Sequence, residues 1–178
     1  MKRIASVVFL RGVNVGAHNR FQPAILAKQL SKFSVVNIGA VGTFVVREKV
    51  LEASLRAEIL RRLPFHPELM ICREEEIFDL VRKDPFKGET LSQDMRGFVS
   101  VMAKPPSVSP RLPIYRPNID NWEVKVKQIS GKFALSLWQR LQKNVLYPNE
   151  VVEKHFGVPA TTRSWNTILK IRAILERD

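Results

Sequence analysis

At 178 residues and 45% apolar content the chain has room for one sizeable domain, or two small subdomains sharing a core. No run approaches the roughly 18 apolar residues of a membrane helix, and the single Cys72 excludes an internal disulfide framework, which fits a reducing cytoplasm. Lys+Arg 29 against Asp+Glu 17 gives a formal net charge of +12 and directs attention to polyanions: nucleic acid, phosphorylated ligands or an anionic membrane surface.

In chain order, residues 4–10 (Ile-Ala-Ser-Val-Val-Phe-Leu) read as a strand buried on both faces; Arg11 and the lack of a small-residue cleavage site argue against a signal peptide. Residues 11–19 read as a loop, whose Gly12, Gly16, Asn14 and Asn19 tolerate left-handed turns. The spacing predicts a helix over 23–32 with Ile25, Leu26, Leu30 and Phe33 inward, a strand over 35–39, a bend at 39–42 and a strand over 43–46. A longer helix is predicted over 49–63, with Leu51, Leu55, Ile59, Leu60 and Leu63 as its stripe and Pro64 as its stop. A strand at 69–72 and a helix over 74–83 follow, the latter with Glu74, Glu75 and Glu76 at its positive end. The order β-α-β-β-α-β is the ferredoxin-like pattern.

The second half opens with a strand at 96–103. Pro105, Pro106, Pro110, Pro113 and Pro117 then exclude a helix or a central strand from the crossover 104–118. Residues 122–127 and 133–138 alternate around Ser130-Gly131 and read as a hairpin. A helix over 150–155 precedes the stretch 157–170. There Pro159 closes the preceding segment, and Thr161, Thr162 and Ser164 are candidate caps for a terminal helix whose apolar face is Trp165, Ile168, Leu169, Ile171, Ile174 and Leu175. The organisation expected is α+β, with two ferredoxin-like halves forming one compact unit, 1–83 and 84–178.

Two motifs resemble a known family. Phe9-Leu10-Arg11-Gly12-Val13-Asn14-Val15-Gly16 with Asn19-Arg20, and Gly157-Val158-Pro159-Ala160-Thr161-Thr162-Arg163-Ser164-Trp165-Asn166-Thr167 with Lys170, resemble the opening and closing signatures of the bacterial domain of unknown function numbered 1697. The resemblance implies two ferredoxin-like halves over the whole chain and no reaction. Where the family has a Gln-Ser-Gly-Asn turn this chain reads Ala40-Val41-Gly42-Thr43, and its Arg-Asn-Trp reads Arg163-Ser164-Trp165.

The site residues expected are Arg11, Asn14, Asn19, Arg20, Arg163, Trp165, Asn166 and Lys170. They are donors and one aromatic that would cradle an anion if the two motifs meet, with the terminal helix's N–H groups adding positive field. The loop lacks both the phosphate-loop ending and the dinucleotide glycine spacing. His18, His66 and His155 have no ligand spacing for a metal, and no cofactor is implied. Ser6, Ser164 and Cys72 sit in no nucleophile pattern, so no catalytic constellation is recognised. Trp122, Trp138, Phe44 and Phe98 on predicted strands offer a candidate stacking surface. The leading expectation is a basic cytoplasmic protein binding nucleic acid. The alternatives are a binder or enzyme for a phosphorylated or carboxylated small molecule, and a degenerate structural or interaction protein.

Overall fold

The computed structural model describes residues 4–141 and 146–177, in two compact units. Unit 1 holds the described residues up to Asp79 together with those from Leu169 onward, and unit 2 is Leu80–Ile168.

Unit 1 contains β1 (Ser6–Leu10), α1 (Pro23–Gln29), β2 (Val35–Asn37), β3 (Thr43–Val46), α2 (Glu52–Leu60) and β4 (Leu69–Arg73), and α3 (Glu74–Arg82) begins in it. Its strands form one sheet in the order β2-β3-β1-β4, every neighbouring pair antiparallel. The run Val7–Leu10 is buried throughout, as a strand without polar alternation requires. Val8, Leu10, Phe44, Val46 and Ile71 form a core with Leu26 and Leu30 near α1 and with Leu55 and Ile59 of α2. Each such side chain contributes roughly 1.5–3 kcal/mol of burial. Pro23 opens α1, where its fixed φ suits the first helical turn. The helix stops at Gln29, shorter than the periodicity implies. A single 3₁₀ turn, Ser31–Phe33, takes over and ends at Ser34, whose φ of 51° is left-handed. Four expected core positions face water instead: Ile4, before β1 begins, is 39% exposed, Ile25 50%, Leu51, at the extended entry to α2, 77%, and Leu169 37%.

Unit 2 contains β5 (Met95–Met102), β6 (Ile114–Arg116), β7 (Val124–Ser130), β8 (Phe133–Gln139), α4 (Pro148–Phe156) and β9 (Ala160–Ser164), and α5 (Trp165–Leu175) begins in it. Its five-stranded sheet runs β6-β7-β8-β5-β9, again antiparallel throughout. Gly131, at φ 58°, makes the tight turn of the β7–β8 hairpin. The proline-rich crossover supplies β6 as an edge strand, a position that tolerates Pro113 and Pro117 beside it. Helix α4 starts at Pro148, ends at the left-handed Gly157, and lays Val151 and Val152 on Met102, Val126, Ala134 and Ala160.

The stretch 160–164 is a strand, not the lead-in to a helix. Thr161 and Thr162 pair with Val101 and Ser100 of β5, so they cap nothing. β-branched side chains favour the pleated sheet, and here a partner strand is present to accept them. Ser164 alone keeps the capping role, its hydroxyl accepting from the Thr167 amide at 3.3 Å. The chain therefore passes from β9 into α5 with no intervening loop, as it does from β4 into α3.

Candidate functional site

In unit 1 the loop after β1 is held by its own polar side chains. Asn14, at φ 53°, donates through Nδ2 to Phe21 O at 3.1 Å and Ala40 O at 2.6 Å, and its Oδ1 accepts from the Phe21 amide at 3.0 Å. Asn19 donates to Gly12 O at 3.1 Å, and Arg20 donates from Nε and Nη2 to Gly16 O at 3.2 and 3.0 Å. The Arg11 amide donates to Glu68 O at 2.9 Å. The motif thus brings Arg11, Asn14, Asn19 and Arg20 into one loop, and the bonds of the last three brace its backbone. Lys170 is exposed on the part of α5 that belongs to unit 1.

Arg163, Trp165 and Asn166 lie in unit 2. Arg163 points from β9 into the interior and is 6% exposed; its Nη1 donates to Thr161 Oγ1 and Thr162 O, each at 2.8 Å. Burial lowers its pKa to about 10, so it remains a cation at neutral pH. Trp165, 7% exposed, meets the Phe86 ring edge-on at 5.2 Å between centroids. Asn166 is exposed and lines a cleft of about 440 Å³, together with Ser92, Gln93, Arg96, Gly97, Ser164 and Trp165.

Of the four candidate stacking aromatics, Phe44 is 1% exposed and belongs to the unit 1 core. Trp122 lies beside Tyr115, centroids 6.3 Å apart. Phe98 and Trp138 form a half-buried edge-to-face pair at 6.4 Å. Register explains why they meet: Arg96 sits opposite Trp138 and Phe98 opposite Ser136 across β5–β8, so all four side chains share one sheet face. Ser164 is opposite Phe98 across β5–β9 and joins that face. The Arg96 guanidinium stands 5.7 Å from the Trp138 ring centroid, within cation–π range. Its Nε donates to Gln93 O at 3.2 Å.

Arg96 escaped the sequence reading, although period-2 alternation on β5 does place it on the face of Phe98. What the sequence could not supply was the strand that lies opposite. A second cleft, of about 380 Å³, is lined by Arg116, Leu146, Glu150, Val151, Lys154 and His155. Its cations are scattered over 39 positions and carry no local signal. Among the described residues no group of three or more His, Cys, Asp or Glu could hold a metal ion, and no helix is long and apolar enough to cross a membrane.

The structure of a conserved bacterial protein from Streptococcus pneumoniae, SP0830, is similar to this one: the TM-score is 0.62 at 16% identity, over 97% of this chain and 99% of that one. That likeness speaks for the fold alone. No curated protein matches. The sequence profile of the family described as "Protein of unknown function (DUF1697)" matches residues 1–129. This match takes in the amino-terminal motif, ends before the stretch 157–170, and shows that the chain belongs to the DUF1697 family.

Proposed function

We propose that the protein binds nucleic acid as a polyanion, through the β-sheet of unit 2. Charge supports the reading. Of 14 Lys+Arg and seven Asp+Glu between positions 80 and 168, the surplus is more than half that of the whole chain. The observation that carries it is the placing of cations over aromatic rings in this unit: Arg96 over Trp138 at 5.7 Å and Lys125 over Tyr115 at 5.5 Å. Arg96 lines an open cleft and also stands over the Trp138 ring, so one side chain links phosphate-attracting charge to a π-face.

The fold supplies a reason for that opening. We read each unit as a ferredoxin-like half. In unit 1 the order β2-β3-β1-β4 accords with it, and so does β7-β8-β5-β9 in unit 2 once the edge strand β6 is set aside. In this reading the first helix of the second half is replaced by the proline-rich crossover. The sheet face it would cover is left to α4 alone, and Phe98 and Trp138 stay half-exposed.

Anisotropy of labelled oligonucleotides at two salt concentrations tests the function. Expected is micromolar binding that weakens steeply with salt, as counterion release requires. Arg96→Gln and Lys125→Gln should each weaken binding and flatten the salt slope by about one. No binding at low salt would sink the proposal.

A second reading rests on the smaller cleft, where Arg116 and Lys154 outnumber Glu150, and Leu146 and Val151 offer an apolar wall. That composition suits a small carboxylate or phosphate ester with an apolar body. A thermal-shift screen of such anions checks it, with Arg116→Gln as the control that should abolish any rise.

A further inference from the structure

Five features of unit 2 converge at one end of its sheet: the Phe98–Trp138 pair, the Arg96 guanidinium over the indole, the polar cleft that Arg96 also lines, Ser164 on the same sheet face, and Asn166 beside it. We infer that this end is a site for one unpaired nucleotide, and that the preferred ligand is single-stranded rather than duplex nucleic acid. The inference rests on the polyanion reading and specifies the ligand.

The geometry favours a base over a bare phosphate. A phosphate is held by converging donors and needs no aromatic surface, whereas a base has two π-faces and polar edges. Here the aromatic surface is built and fixed. Trp138 is held between its partners in β5 and β7, Arg96 and Val124, and Phe98 meets it edge-on. The bond from Arg96 Nε to Gln93 O holds the guanidinium above the indole. A base stacks on that guanidinium–indole pair as readily as on a second ring. The cleft that Arg96 lines, about 440 Å³, holds groups that suit a base edge or sugar: the Gln93 and Asn166 amides, which donate and accept, and the Ser92 hydroxyl, whose oxygen accepts from the Asp94 and Met95 amides and whose proton is left to donate.

Duplex nucleic acid cannot use such a site without cost. Its bases are stacked on one another and show only their edges, so reaching the indole means extruding a nucleotide. A single strand already exposes its faces. The base is therefore recognised by stacking, with little sequence preference, while Arg96 contributes the charge.

The test compares a labelled oligothymidylate of about 12 nucleotides with a hairpin duplex of equal charge, against the full chain at matched salt. Expected is binding of the single strand roughly tenfold tighter, with quenching of tryptophan emission. Trp138→Leu and Phe98→Leu should each remove about tenfold of single-strand affinity and leave the salt slope unchanged. Asn166→Ala, at an exposed position that leaves the core intact, should weaken the single strand and not the hairpin. Equal affinity for the two ligands, or single-strand affinity unchanged in folded Trp138→Leu and Asn166→Ala variants, overturns the inference while leaving charge-driven binding in place. Failure of both ligands to bind at low salt removes the polyanion reading itself.

Discussion

Gly42 sits where three demands meet. Its φ is +71°, its carbonyl accepts from the Leu10 amide at 2.8 Å, and a Cβ there would lie 2.7 Å from Leu10 Cβ and 2.8 Å from Val13 Cγ2. Gly42→Ala therefore combines backbone strain with overpacking against two buried residues. Urea unfolding should show a loss of about 3 kcal/mol. The glycine is also the one residue this chain shares with the Gln-Ser-Gly-Asn turn of its relatives, and the structure gives it a steric reason that owes nothing to a ligand. Arg163 shows the opposite limit of sequence reasoning. An arginine near a helix start reads as an anion donor, yet its side chain turns inward to Thr161 and Thr162. Nothing in the residue type tells the two apart, because strand alternation decides it, and the strand was hidden behind three hydroxyl residues that also make good caps. Arg163→Ala should cost about 2–4 kcal/mol in the same assay, since it strands buried polar partners.

At the scale of the element, helix α2 carries a charge cluster centred on Glu58. Its carboxylate meets Arg62 at 2.6 Å, Arg61 at 3.0 Å and Lys32 at 3.3 Å. Hydrogen bonds from Arg61 and then Arg62 hold its pKa down from 4.5 to about 2. The folded pKa lies below the unfolded one, so the cluster's contribution is fully present above about pH 4.5 and disappears as the pH falls through 2. In acid titrations followed by circular dichroism, Glu58→Gln should be less stable than the parent at neutral pH and converge with it near pH 2; added salt should narrow the gap. Ser164→Ala, which removes the hydroxyl accepting from Thr167, should cost about 1 kcal/mol of thermal stability by loss of the cap. The long apolar runs were legible as elements because burial on both faces leaves a plain signature; β3 lies where the pattern puts it, and β1 and the β7–β8 hairpin lie within three residues of the expected bounds. Helix ends were less legible. Leu51 fits the α2 stripe by spacing, but the helix begins after it and the side chain is left in solvent.

Across the whole molecule, net charge was read correctly from composition because it needs no geometry. The meeting of Arg96 with Trp138 was not, because it depends on the register of β5 against β8, residues 42 positions apart in the chain. Local patterns name the strands, and only the assembled sheet says which side chains become neighbours. The candidate stacking residues Phe98 and Trp138 were visible as aromatics, while Phe44, equally aromatic, is enclosed in the unit 1 core.

The membership of unit 1 has a consequence for how the protein is made. That unit includes the residues from Leu169 onward, and Arg47 Nη2 donates to Ile174 O at 3.1 Å. Segments of unit 1 are thus translated both before and after unit 2. Until the final helix emerges, the nascent amino-terminal sheet lacks one of its own segments, while every residue of unit 2 has already been translated. A truncation before Leu169 would therefore remove part of unit 1 while leaving every residue of unit 2 in the chain.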